Sequence, residues 1–321
     1  MSDVITIGEP VVTFASTDMD ASLADTINYK KILGGAELNV AIGVKRLGHS
    51  VDYISQVGTD PMGDYVIKTI SDHQVGARYI SQDPNHWTGH QLKQLVSKGD
   101  PKTFNYRTNS AAANLEDAVI DDVDLSDVKI AHMSGIFPAL SLTSRQSFRR
   151  LMDRLVAKDI LITFDPNLRP SLWEDQETMI KTINELAGSA NIVLPGVEEG
   201  KILMGSDDPE AIADFFLKGA RTQTVIVKVG ANGAFVKTVE GESYTIDGFK
   251  VDHVVDTVGA GDGFALGVIT ALLDGKPMKS AILRGNAVGA LQVQTPGDND
   301  GYPDPAGLAS FYAKEGVNED E

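Results

Sequence analysis

The chain has no cysteine among its 321 residues. Disulfides, thiolate catalysis and cysteine-based zinc sites are therefore excluded, and the expected setting is a reducing one, the cytoplasm. Positive charge is also scarce: 28 Lys and Arg stand against 45 Asp and Glu, a formal charge of −17. Surfaces that track phosphates need clustered Lys and Arg, so non-specific binding to nucleic acid or anionic membrane is not expected. An anionic ligand would have to be held by locally placed cations or backbone N–H groups, against the field of the whole molecule. No apolar run is long enough to span a bilayer. The opening residues, Met1 to Glu9, lack a basic region and read as a strand instead of a leader peptide. No Gly-x-Gly-x-x-Gly follows that strand, which weighs against a dinucleotide-dependent oxidoreductase. The six histidines show no ligand spacing. Internal repeats and low-complexity linkers are absent.

What is present is an ordinary globular composition, 42% apolar and 23% charged, and enough chain for a large core. Apolar β-like runs alternate with helical patterns. Val4–Ile7 ends at Gly8, and residues 11 to 33 alternate irregularly, as short strands off the main sheet would. Gly34-Gly35 opens a helix over 36–47, with Val40, Val44 and Leu47 on one face and Gly48 as its cap. Residues 51–57 read as strand and 64–75 as helix. Residues 88–97 and 103–108 flank a hairpin turn at Lys98-Gly99-Asp100-Pro101. After Leu115 the rhythm is strictly α/β. Residues 129–134, 160–164, 191–194 and 224–229 read as buried parallel strands, separated by helices near 143–157, 175–188 and 208–220. A hairpin over 234–247, a β-like run His253-Val254-Val255 and helices near 261–274 and 277–294 follow. The tail, with Glu315, Glu319, Asp320 and Glu321, reads as acidic and frayed. The expected fold class is α/β: one doubly wound α/β/α sandwich over residues 1–321. A small β lid from 11–33 and 88–108 covers the C-terminal strand ends, where ligands bind. Exposed lid edges predict a homodimer or higher homo-oligomer.

The stretch Asp256-Thr257-Val258-Gly259-Ala260-Gly261-Asp262-Gly263-Phe264 opens a long apolar helix. Glycine lets backbone approach a ligand, and the N–H groups of a first helical turn have no intrahelical partners. The helix dipole adds positive partial charge, so the stretch is suited to an anion. Asp262 conflicts with a resting anion. The conflict resolves if the anion is a phosphoryl group in transfer and Asp262 takes the proton of its acceptor. A glycine-rich turn with Asp as a helix cap is the plainer alternative.

A second glycine site is Gly34-Gly35-Ala36-Glu37-Leu38-Asn39. Asn39 offers a donor and an acceptor, which suits sugar hydroxyls. Together, Gly34, Gly35, Asn39, Leu47 and Gly48 at one end and Asp256 to Asp262 at the other resemble the two signatures of the ribokinase-like, or phosphofructokinase-B, sugar kinases. The resemblance spans roughly residues 3 to 310. It implies an α/β/α sandwich with a β lid, Asp262 as the catalytic base, and Gly259, Ala260 and Gly261 as the anion hole. Gly-Ala-Glu-x-Asn, Gly135 to Ser141, Leu194 to Gly200 and Gly297-Asp298 before Gly301-Tyr302-Pro303 are similar to the branch that phosphorylates 2-keto-3-deoxygluconate on its 6-hydroxyl. Phe164 to Arg169 is shared with fructokinases, which keeps a neutral-sugar kinase as the alternative and a non-catalytic sugar-binding protein as a remote one.

The resemblance carries over a substrate set of Gly34, Gly35, Asn39, Gln91, Asn105, Arg107, Arg169 and Asp298. Gln91 and Asn105 depart from relatives that show Tyr there. Arg forks at 107 and 169 match a substrate carboxylate; without the resemblance the favoured readings are plainer, Arg107 as a solvated strand-end charge and Arg169 as an ion-pair partner of Asp165 or Glu174. If the lid run is extended, Asn105 and Arg107 share one face and Tyr106 points away to pack. For ATP the resemblance implies Asp165, Asn167, Lys228, Gly230, Asn232, Gly233 and Asn286. Mg²⁺ is implied as the nucleotide's partner, with Glu199 reaching it through water and Gly196 standing where many relatives have Asn. A monovalent cation is a further ligand the resemblance allows.

Overall fold

Thirteen strands and ten α-helices run through residues 2–99 and 101–319, which the computed structural model describes. In chain order they are β1 (Val4–Ile7), β2 (Val11–Met19), β3 (Tyr29–Gly34), α1 (Ala36–Arg46), β4 (Val51–Gly58), α2 (Pro61–Asp72) and β5 (Gly76–Asp83). Then come β6 (His90–Leu95), β7 (Thr103–Tyr106), α3 (Asp117–Asp121), β8 (Ile130–Ser134), α4 (Leu142–Ala157), β9 (Leu161–Asp165), α5 (Gln176–Ala187) and β10 (Ile192–Val193). The last are α6 (Val197–Met204), α7 (Pro209–Phe216), β11 (Thr224–Lys228), β12 (Ala234–Thr238), β13 (Ser243–Ile246), α8 (Ala260–Leu273), α9 (Met278–Gln292) and α10 (Pro305–Glu315).

Nine strands form one sheet in the order β13-β12-β11-β10-β9-β8-β1-β4-β5. It is parallel from β11 to β5, and β12 pairs antiparallel with both β11 and β13. Alternation along β1 sends Val4 to one face and Ile5 and Ile7 to the other, and both faces are buried. One core packs α1, α2, α8, α9 and α10 on the first face, the other packs α3 to α7 on the second, so the sandwich is doubly wound. The remaining strands form a separate sheet, β3-β2-β6-β7. The chain leaves β1 toward β4 and β5 and later returns through β8 to β11, so strand order reverses between β1 and β8.

Helix α8 is buried along nearly its whole length, as its largely apolar sequence after Asp262 requires. It meets α9 backbone to backbone: a Cβ on Gly267 would lie 2.7 Å from Gly285.

Several expectations need correction. His253-Val254-Val255 is not a strand; no sheet edge receives it, and Val254 and Val255 are exposed. The 64–75 helix begins at Pro61, where Asp60 caps it, and ends at Asp72. The helix near 208–220 stops at Phe216, and β10 shrinks to two residues. The tail is not frayed at Glu315, which closes α10, or at Glu319, whose carboxylate accepts bonds from Arg284 and Tyr312. Asp320, Glu321 and Asp100 of the hairpin turn lie outside the described residues.

Candidate active site

The C-terminal ends of β1, β8, β9, β10 and β11 deliver Glu9, Ile136, Asp165, Gly196 and Lys228 to one cavity of about 440 Å³. This is the position at which doubly wound sheets bind ligands. Gly34, Gly35 and Gln91 of the smaller sheet and its junctions, with Arg107, close the opposite wall. The start of α8 forms the third side. Gly259 holds the left-handed conformation (φ 78°) that turns the chain into the helix, and a Cβ there would strike the carbonyl of Asp298. Gly259 and Gly261 line the cavity beside Asp262, while Ala260 does not and donates its N–H to Thr257 O at 3.3 Å.

Asp262 is buried and held by two side-chain amides. Asn39 Nδ2 donates to its Oδ2 at 2.9 Å, and Asn167 Nδ2 reaches its Oδ1 at 3.4 Å. Burial raises its pKa. The Asn39 bond opposes that shift, Asp165 adds to it, and Arg169 and Lys228 act against it. Asn167 takes a positive φ of 39°, which Asn tolerates, and its N–H bonds Asp165 Oδ1. Lys228 Nζ donates to Asp165 Oδ2 at 2.7 Å. Burial works against the lysine's charge, but Asp165 and Glu199 outweigh it and raise its pKa. Glu199 spends both oxygens on backbone, accepting from Leu168 N–H (2.9 Å) and Gly196 N–H (2.7 Å).

On the wall opposite the strand ends, Arg107 is not a solvated strand-end charge. Its Nε donates at 2.5 Å to Glu9, whose side chain is fully buried and also accepts from Ser110 Oγ. Arg169 has no carboxylate within ion-pair distance among the described residues; its Nη1 donates to its neighbour's carbonyl, Leu168 O. The partners expected for it are taken: Asp165 by Lys228, and Glu174 by Arg145, which also stacks on Trp173. Gln91 Nε2 donates to Thr13 Oγ1. Asp298 is pressed against Gly34, where a Cβ would meet its Oδ2, and burial pushes its pKa up to about 6. Asn105 pairs across the strand with Gln91 but is exposed and outside the cavity lining. Tyr106 stacks on His90 at 5.0 Å between ring centres but is exposed, not packed into a core as expected.

A second cavity of about 590 Å³ is mostly apolar, walled by Phe249, Val251, Val254, Phe264 and Val293 with Asn286 among them. Gly230 and Gly233 frame its mouth, while Asn232 between them is exposed and outside it. Asn286 donates its Nδ2 to the carbonyls of Ile246 and Asp247. The two cavities share Lys228, Thr257 and Gly261.

Sequence reasoning missed three residues. Glu9 has no local signal beyond its place just after a strand. Glu37 is fully buried, lines the charged cavity, and neither of its oxygens has a hydrogen-bond partner among the described residues; burial pushes its pKa to about 7. Asn299 donates Nδ2 to Asn39 Oδ1 at 3.0 Å and is visible only in three dimensions.

Residues 1–305 match the pfkB family carbohydrate kinase model. A 2-dehydro-3-deoxygluconokinase of Bacillus subtilis (strain 168) is 44% identical over 97% of this chain and 95% of its own length. The crystal structure of a PfkB protein from Polaromonas sp. JS666 superposes with a TM-score of 0.87 at 39% identity, over 97% of this chain and 100% of that one. An E. coli protein assigned as a ribokinase II, solved with ATP and Mg²⁺, gives a TM-score of 0.88 at 27% identity, over 98% and 100%.

Proposed function

The chain belongs to the pfkB family of carbohydrate kinases, and from that premise we propose that it transfers the γ-phosphoryl group of ATP to the 6-hydroxyl of 2-keto-3-deoxygluconate (2-dehydro-3-deoxygluconate), giving the 6-phosphate and ADP. One observation carries the proposal: a charged cavity and an apolar cavity meet at Lys228, Thr257 and Gly261, beside the buried carboxylate of Asp262. A two-substrate transfer needs such a junction, with acceptor and donor entering from opposite sides.

In this mechanism the sugar acid occupies the charged cavity. Its carboxylate faces Arg169 and Arg107, and its hydroxyls meet Gly34, Gly35, Asn39, Gln91 and Asp298, with Asn105 only at the rim. The adenine lies in the apolar cavity near Asn286, past the turn of Gly230, Asn232 and Gly233. The phosphates run by Lys228, with Asp165 and Asn167 alongside, to the amides of Gly259, Ala260 and Gly261. Among the described residues no three acidic or histidine side chains converge as a metal cage. Glu199 and Asp165 line the charged cavity and would hold a nucleotide-borne magnesium ion through water. Bound there, it would supply charge neutralisation. Asp262 accepts the proton of the 6-hydroxyl as its oxygen attacks the γ-phosphorus in line. Its burial favours the protonated product. The first-turn amides hold the phosphoryl oxygens, and the smaller sheet limits the access of water. We further place the protein in the cytoplasm and pair two copies through β7, which leaves Phe104 and Tyr106 exposed. No helix of the described residues is long and apolar enough to cross a membrane.

The test is ADP release measured over 2-keto-3-deoxygluconate, its galactonate epimer and fructose. Turnover on the sugar acid is expected to exceed that on fructose, and Asp262→Asn to lower kcat roughly 10²–10⁴-fold. Faster turnover on fructose would turn the assignment toward a fructokinase. Native turnover by Asp262→Asn would remove the base.

A further inference from the structure

We propose that Asn299 is a positioning residue for this reaction, orienting the amide of Asn39 so that Asn39 in turn orients the carboxylate of Asp262. The proposal rests on Asp262 being the base. An ionised carboxylate only accepts hydrogen bonds, so Asn39 must turn its Nδ2 toward Asp262. Its Oδ1 then points away and needs a donor, and Asn299 Nδ2 supplies one at 3.0 Å. All three side chains are at most 9% exposed, so bulk water does not stand in for a missing link.

Asn299 is itself fixed. Its carbonyl accepts from Arg46 Nη1 at 2.6 Å, and the same nitrogen donates to Tyr302 O. Tyr302 Oη in turn donates to Gly259 O at 2.7 Å, at the turn that opens the anion hole. One short segment after α9 therefore sets both the base and the amides it works beside. Without Asn299, Asn39 is free to rotate its amide and put Oδ1 against Asp262, which would favour the protonated, inactive base. The other groups facing Asp262 are Asn167, Arg169 and Lys228, which favour its charge, and Glu37, Asp165 and Asp298, which oppose it.

The experiment compares Asn299→Ala and Asn299→Asp in the full chain, reading kcat, both KM values and kcat/KM against pH. Asn299→Ala is expected to lower kcat roughly ten-fold, with KM for ATP within about twofold of native. In Asn299→Asp the introduced carboxylate accepts only. It draws Asn39 Nδ2 to itself, leaves Oδ1 on Asp262 and moves the acid limb of the profile up by about one pH unit. Asn39→Ala combined with Asn299→Ala is expected to lose no more than Asn39→Ala alone. Native kcat and a superimposable pH profile in both Asn299 variants would overturn the relay. If Asn299→Ala does not fold, the isosteric Asn299→Asp decides. An inactive Asp262→Asn beside native-like Asn299 variants sinks the relay and leaves the base standing; an active Asp262→Asn sinks the base first.

Discussion

Arg107 and Arg169 face the same cavity, yet their removal is expected to have different consequences. Arg107 is the partner of Glu9, a carboxylate with no exposed surface. Truncation by Arg107→Ala leaves that carboxylate buried with Ser110 Oγ as its one side-chain donor among the described residues. Breaking a buried pair from one side costs about 3–5 kcal/mol. Unfolding entropy near 2.1 cal/mol/K per residue gives roughly 0.7 kcal/mol/K for a chain of 321 residues. The midpoint of thermal unfolding should therefore fall by about 4–7 °C. Arg169→Ala removes a cation whose bond is to the carbonyl of Leu168, so its midpoint should fall by no more than about 2 °C. Affinity should run the other way. The charge of Arg107 is already offset by Glu9, whereas that of Arg169 is unspent, so Arg169→Ala should raise KM for the sugar acid more, by about ten-fold or above. Glu9→Gln combined with Arg107→Ala should recover much of the lost midpoint, because no buried charge is left alone. Thermal melts and steady-state kinetics on the four proteins decide the matter. Equal midpoint losses in the two single variants, or a double variant no better than Arg107→Ala, would refute the reasoning.

Two more outcomes follow from the same geometry. Glu37 is fully buried with a pKa raised from 4.5 to about 7, so the stability of its protonated form is complete below pH 4.5 and lost as pH rises through 7. Glu37→Gln should thus melt with the native protein near pH 4 and above it at pH 8, by roughly 3 kcal/mol; parallel curves across that range would contradict the assignment. Asn286→Ala releases the carbonyls of Ile246 and Asp247 at the edge of the apolar cavity. It should raise KM for ATP about three- to ten-fold with KM for the sugar acid unchanged, and equal changes in both would count against adenine binding there.

The alternation after Leu115 was enough to read the parallel sheet, because strands buried on both faces are continuous apolar runs. The glycine stretches at 34–35 and 259–261 were legible because a tight approach of backbone leaves few other residue choices. Helix α10 was also legible and was overlooked: Asp304 caps it, Pro305 opens it, Leu308, Phe311 and Tyr312 share its inner face, and Gly316 ends it. Edge strand β5 was not, since its half-buried pattern carries no clean period. His253-Val254-Val255 misled through β-branched propensity, which has no effect without a neighbouring strand. In the site, Arg107 could be named but its pairing could not. Its partner lies 98 residues earlier in the chain, and only β1 and the turn after β7 bring the two together. The bond of Asn299 to Asn39 crosses 260 positions and leaves no trace in local pattern.

Gly267 and Gly285 let α8 and α9 touch along their backbones. Helices in such contact cannot slide, because a shift of part of a turn would drive a side chain into main chain. Asp262 opens the first helix and Asn286 sits on the second, so the span between them is a fixed length, a ruler cut into the molecule. Under the proposed function, a phosphoryl donor seated beside Asn286 would be measured against it. Gly267 and Gly285, the second of which also lines the apolar cavity, would in this way set the reach from that cavity to Asp262.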